Sequence, residues 1–361
     1  PGCWAGGSNM GNTQASNAIL AKARAMYGRR LTARNYQELL NCRDLPDLIS
    51  YLKTRTSYSE ALQAANPATT HRAQLETLLR LNLFEQYASL CRYEMNIGHD
   101  FYRYFIIRSE VQAITTRLQE LHAPDGDVSI YTMPDFIKKH SCLNLNAMSM
   151  ATSFKMLVLA LEGTPYAKIL QPFADDPDFA LENSGLLELE AALDSFVNSQ
   201  VEQIASTKLS GKSKEEMLYL LRRQSDLRAI ADIYRLKSVL RADRAFIKKR
   251  VSLSVSNMTP RQLDNLMDAQ DAQDVIHRLV NTPYASEFYG ASFDYIEEGV
   301  RKIDYRWHLK KLRFSTNPSV VLFCYIFLAE NELTNIVHII EGVRYGLAPD
   351  DIATLLVGVG D

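Results

Sequence analysis

MLYLLRRQSDLRAIADIYRLK, residues 217–237, decides the fold class. Met217, Leu220, Leu221, Leu227, Ile230 and Ile233 recur at three- and four-residue steps, with Arg222, Arg223 and Lys237 between them. A helix turns once in about 3.6 residues, so this spacing gathers the apolar side chains on one face and predicts an amphipathic helix of several turns. Residues 73–90, 101–121, 186–204 and 322–340 read the same way. Period-two alternation is confined to residues 251–255 (VSLSV), short enough to be one extended connector. Glycine and proline punctuate rather than form linkers, as at Pro124-Asp125-Gly126 and from Pro172 to Pro177. The sequence reads as an all-α protein.

Asp226 also belongs to a pattern that recurs: acid, aliphatic, any residue, small or Asn, Ile. It reads Glu110-Val-Gln-Ala-Ile114, Asp226-Leu-Arg-Ala-Ile230 and Glu332-Leu-Thr-Asn-Ile336. A second pattern is a helix start, with Thr at the N-cap and an apolar residue four positions on. Its copies are Leu31-Thr32 with Tyr36, Tyr131-Thr132 with Phe136, and Met258-Thr259 with Leu263, and a weaker fourth is Leu347-Ala348-Pro349 with Ile352. The threonine hydroxyl accepts from an orphan first-turn N–H, worth about 1 kcal/mol, and Pro260 suits a first helical position. A third pattern ends a helix in a Thr-x-Tyr turn: Leu52-Lys-Thr-Arg-Thr-Ser-Tyr58, Leu161-Glu-Gly-Thr-Pro-Tyr166 and Leu279-Val-Asn-Thr-Pro-Tyr284. Each pattern alone is weak. Three in constant order, roughly 100 to 127 residues apart, predict three divergent helical repeats, at 16–125, 126–253 and 254–361, after a flexible tail at 1–15. The period far exceeds the roughly 34 to 47 residues of small helical solenoid units, so a closed, pseudo-threefold body is expected.

Composition narrows function by exclusion. The 361 residues are 47% hydrophobic and 23% charged with a net charge of −2, which is globular and carries no global basic field for nucleic acid. The five cysteines are scattered without a C-x-x-C pair, against a disulfide framework or zinc site and in keeping with a reducing cytoplasm. The most apolar run, residues 320–329, is half the roughly 20 residues a spanning helix needs, so no direct membrane span is expected. Residues 1–11 lack the basic start and apolar centre of a signal peptide.

These patterns resemble those of the C subunit of archaeal and bacterial V-type ATPases and the d subunit of the eukaryotic vacuolar proton pump. The front, residues 17–52 (NAILAKARAMYGRRLTARNYQELLNCRDLPDLISYL), is similar to that family's opening helix, Leu-Thr turn and Tyr-x-x-Leu-Leu helix. The back, residues 330–356 (ENELTNIVHIIEGVRYGLAPDDIATLL), is similar to its closing segment. The resemblance implies three helical modules in a funnel around a central cavity, on the cytoplasmic face of the membrane. The cavity would receive the shaft made by the D and F subunits, and the funnel would sit on the proteolipid ring. It implies a non-catalytic rotor part that transmits torque for ion transport coupled to ATP hydrolysis or synthesis. The competing reading is a soluble helical scaffold that clasps another partner helix.

The site candidates are the three acids Glu110, Asp226 and Glu332. Equivalent under a threefold axis, each sits in an apolar helix, where a carboxylate is costly unless paired or hydrogen-bonded. They either hold module geometry and meet the shaft, or simply bond to neighbouring helices; Glu332 lies in the best-matching segment. No catalytic, cofactor-binding or metal site emerges. Gly211-Lys212-Ser213 echoes the end of a phosphate loop, but Ser206 stands where the first glycine belongs, so a loop between two helices is expected. Asp175-Asp176-Pro177-Asp178 reads as a solvated turn, because Pro177 interrupts any helical face of acids. The seven histidines lack metal spacing. Phe101, Tyr102, Tyr104 and Phe105 read as core. Lys248-Lys249-Arg250 and the run Arg306 to Arg313 (RWHLKKLR) read either as solvated faces or as surfaces toward shaft or ring.

Overall fold

The computed structural model describes residues 7–98, 100–122, 133, 135–181, 185–251, 255–288 and 296–360. These residues form eighteen α-helices and no strand, as the helical periodicity requires. The chain divides into two compact units, 1–99 with 297–361, and 100–296.

The first unit opens with α1 (Gly7–Tyr27), α2 (Ala33–Leu40), α3 (Leu45–Arg55) and α4 (Arg72–Ile97). The second holds α5 (Tyr102–His122), α6 (Asp135–His140), α7 (Leu145–Met150), α8 (Phe154–Ala160), α9 (Pro165–Asp175) and α10 (Leu186–Lys208). It continues through α11 (Gly211–Leu240), α12 (Arg244–Arg250), α13 (Pro260–Met267), α14 (Ala272–Arg278) and α15 (Ala285–Phe288). The chain then returns to the first unit by α16 (Ile296–Phe314), α17 (Pro318–Arg344) and α18 (Pro349–Thr354).

In the first unit α17 is the central helix, packed on α1 and α4. By length and composition it could cross a membrane, yet 67% of its most apolar window is buried inside the protein. Val320, Leu322, Cys324, Ile336 and Ile339 are fully buried, which a core helix apolar on most sides requires. Gly342 is where α18 closes on it: a Cβ there would lie 2.4 Å from Ile352 Cγ1, so only glycine allows the approach. The segment after α18 is held by side chains of α17. Asn335 donates to the Val357 carbonyl (2.8 Å) and accepts from the Val357 N–H (3.1 Å), while Asn331 donates to the same carbonyl (2.9 Å). Arg24 on α1 caps the end of α16, donating to the carbonyls of Leu312 (2.9 Å) and Ser315 (2.7 Å).

In the second unit α10 packs against both α5 and α11. Leu189, Leu193, Val197, Val201 and Ala205 face inward at four-residue steps, and on the flank of that row Glu202 and Asp194 pair with Arg222 and Arg228 of α11. Phe101 and Phe105 are core, 1% and 3% exposed.

Three local expectations need correction, and a fourth lies outside the described residues. Gly211-Lys212-Ser213 is the first turn of α11 rather than a loop; Leu209 and Ser210 alone join it to α10, and Gly211 opens the helix at φ +51°. Pro172 lies inside α9 instead of ending a helix. Helix α1 already takes in Gly7 to Gly11, within the stretch read as a tail. Tyr131-Thr132 lies outside the described residues. The position structurally matching Thr32 and Thr259 is Asn144, whose side chain accepts from Ala147 N (3.1 Å) and whose fourth successor, Met148, is buried.

Candidate assembly site

The structure brings the three sequence patterns together around the three acids. Each acid stands on a long helix: Glu110 on α5, Asp226 on α11, Glu332 on α17. Each reaches a pair of short helices, α7–α8, α13–α14 and α2–α3 respectively. In every case the acid grips the approach to the first short helix and the tyrosine of the Thr-x-Tyr turn after the second.

The turn itself forms because threonine folds back on the helix end. Thr164 and Thr282 donate to the carbonyls of Leu161 and Leu279, three residues back, both at 2.7 Å. Thr56 donates to Leu52, four back, at 2.6 Å, which absorbs the extra residue of the first copy. Pro165 then opens α9, its fixed φ fitting a first helical position. The turn aims each tyrosine hydroxyl at its acid.

Tyr166 Oη donates to Glu110 Oε2 (2.6 Å), while Ser141 Oγ (2.7 Å) and Cys142 N (2.6 Å) donate to Oε1. Tyr284 Oη (2.5 Å) and Asn257 N (2.8 Å) donate to Asp226 Oδ2, and Ser256 Oγ donates to Oδ1. Tyr58 Oη donates to Glu332 Oε1 and Leu31 N to Oε2, both at 2.8 Å. Among the described residues no ion pair engages any of the three acids, so the bonds to neighbouring elements run to hydroxyls and backbone N–H groups rather than to a cation. A hydrogen bond to a charged group contributes about 1.5–3 kcal/mol, so two or three per acid offset the desolvation that burial imposes.

Glu110 and Asp226 are sealed, 3% and 1% exposed. Burial raises the Asp226 carboxyl above its ordinary range, opposed by the bonds from Ser256 and Tyr284. Partial desolvation, with the Glu110 charge beside it, pushes the exposed Cys142 thiol up to about 11, so it stays protonated near neutrality.

Glu332 differs. The two serines, Ser141 and Ser256, each stand three residues before a helix cap, and Arg29 occupies that place before Thr32. Glu332 therefore has two donors, and its carboxylate lies on the wall of a cavity of about 550 Å³ with Arg29, Arg30, Tyr58, Tyr305 and Tyr325. Burial raises its carboxyl above the ordinary range; the Tyr58 and Leu31 bonds and the Arg30 charge pull the other way.

Sequence reasoning picked out the acids and tyrosines separately but not that they pair. Ser141 and Ser256 were legible only as one shared offset from a cap. Among the described residues no cluster of His, Cys, Asp and Glu could hold a metal ion, and Asp175 and Asp176 form an exposed helix end whose Asp176 accepts from Asp178 N (2.9 Å).

Comparison with known proteins follows the same outline. The family model described as ATP synthase (C/AC39) subunit matches residues 19–355. The C subunit of the A-type ATP synthase of Methanosphaera stadtmanae is 25% identical over 284 residues, which is 74% of this chain and 66% of that relative, so the chain spans just under two thirds of the relative's length. With the family match running through all three acid–tyrosine joints, the chain belongs to the ATP synthase (C/AC39) subunit family.

Proposed function

We propose that this protein is the central-stalk socket of the rotor, a body of three related helical modules that links the D–F shaft to the membrane proteolipid ring on its cytoplasmic face. The observation that carries the reading is the recurrence of one joint, acid to tyrosine and backbone, at Glu110, Asp226 and Glu332. A part that passes torque needs its modules locked against shear. Charge-assisted bonds with fixed direction supply that better than apolar contact, which is non-directional. The module boundaries follow at 16–125, 126–253 and 254–361, arranged as a funnel with a central cavity. Ion specificity belongs to the ring.

Glu332 is the joint placed to feel a partner, because it alone of the three acids borders a described cavity. The test is assembly: tagged protein carrying Glu332→Ala recovers less shaft and ring from membranes than Asp175→Ala does, with both variants folded by circular dichroism. Equal recovery removes any role for Glu332 in assembly.

A further inference from the structure

We infer that the exposed face of α16 is a docking ridge for an acidic helix of another subunit of the complex. Lys302, Arg306, Lys310 and Arg313 are all exposed. At about 100° per residue they fall within an arc of about 80°, a single row about 16 Å long. The one acid between residues 302 and 314 is Asp304, which is 7% exposed and turned inward beside His308. From Lys302 to Arg313 the row carries cations alone, with Glu298 one turn before its start, in a chain whose net charge is −2.

Some exposed arginines meet an acid three or four residues along their own helix, as Arg34 does with Glu38, Arg43 with Asp47 and Arg235 with Asp232, whereas Arg306, Lys310 and Arg313 have no acid at that spacing. No ion pair engages the four cations of α16 among the described residues. The helix dipole favours cations in the last turn, which suits Lys311 and Arg313, but it does not reach Lys302 or Arg306 in the helix interior. Four like charges in one row repel one another and are neutralised most simply by a complementary row.

The geometry selects the occupant. A membrane surface is met by helices that pair cations with a broad apolar face. Here Phe314 is the one strongly exposed apolar side chain of α16, 77% exposed, and Trp307 is half-buried with Lys311 Nζ over its ring at 5.2 Å. A narrow straight ridge instead matches the carboxylates of a second helix laid alongside, with Phe314 closing one end. The inference uses only membership in the complex and holds whether or not the stalk reading does.

The experiment places p-benzoylphenylalanine at Arg306 and at Lys310, one per variant, in the full chain within the intact complex, and maps the photocrosslinks by mass spectrometry. The expected target is a helical segment with at least three acids in one row. Lys302→Glu/Arg306→Glu/Lys310→Glu should lower recovery of the crosslinked subunit about tenfold or more, and lysines at the mapped acids should restore it. Lys302→Gln/Lys310→Gln, which adds no charge, should give a smaller loss in the same direction and guards against a folding defect. Crosslinks to lipid, crosslinks to a segment without such a row, no crosslink at all, or unchanged recovery in both charge variants would each overturn the inference. Loss of the stalk reading would show separately, as failure to recover shaft and ring with the unmodified protein.

Discussion

Replacing Glu110 by alanine tests what the joints are worth. The substitution strips the acceptor from three donors at once: the hydroxyl of Tyr166, itself 1% exposed, the Ser141 hydroxyl, and the Cys142 N–H. At about 1.5–3 kcal/mol for each bond to a charge, the gross loss is about 4.5–9 kcal/mol. Removing the carboxylate also removes its own desolvation cost, and the Ser141 hydroxyl can rotate toward water. The net expectation is about 3–5 kcal/mol, in line with breaking one partner out of a buried charged network. With a urea slope of about 2 kcal/mol/M, the midpoint falls by about 2 M. Tyr166→Phe keeps the ring and removes one donor, so it should cost about 1–2 kcal/mol. The Glu110→Gln/Tyr166→Phe cycle should then show a coupling of about 1–3 kcal/mol. Equilibrium urea unfolding followed by far-ultraviolet circular dichroism reads all of these. Asp175→Ala, on an exposed helix end, serves as reference and should stay within about 0.5 kcal/mol of the parent. If Glu110→Ala matched that reference, the acid would be a bystander and the joint an accident of packing.

Four further outcomes are expected. Tyr284→Phe and Ser256→Ala should each destabilise by about 1–3 kcal/mol, Tyr284→Phe more, since Tyr284 is fully buried while a hydroxyl lost from Ser256 is replaceable by water; thermal melts rank them. Glu332→Gln should change how stability depends on pH. The folded carboxyl titrates above its ordinary 4.5, so the folded state holds the proton more tightly, and the parent should gain stability relative to the variant as pH falls through the folded value, levelling off below about 4.5. A pH-independent difference in urea midpoints sinks this assignment. Gly342→Val should push α18 off α17, raising amide hydrogen exchange across residues 349–357 while α5 and α10 stay protected. Asn335→Leu leaves both polar groups of Val357 without that partner and should cost about 2–4 kcal/mol, read by urea unfolding with Trp307 as the fluorescent reporter in the same unit.

What was legible in the sequence was whatever a helix writes as period and punctuation. The face of α11 could be read from its three- and four-residue spacing, and the Thr32 and Thr259 caps from hydroxyl chemistry; both form capping boxes, with Asn35 and Gln262. The second copy of that start, Tyr131-Thr132, lies outside the described residues; the cap beside the Glu110 joint is Asn144, which carries no Leu-Thr signature because asparagine caps as well as threonine does. The acids could be named, but a carboxylate in an apolar helix says only that it needs donors. Which donors depends on a contact between residues as distant as Tyr58 and Glu332, and no local pattern encodes that. Arg29 in place of serine, the feature that opens the Glu332 cradle to a cavity, becomes meaningful only beside the two closed cradles. Gly211 misled for a similar reason: glycine before a lysine reads as loop, and only the backbone reveals a helix beginning there at positive φ.

The most direct test of the stalk assignment is the position of this chain in the assembled ATPase. A density map of the purified complex by electron cryomicroscopy should place it on the rotor axis, seated on the proteolipid ring with the end of the shaft inside it. A position on the peripheral stator, or away from the axis, would contradict the assignment outright.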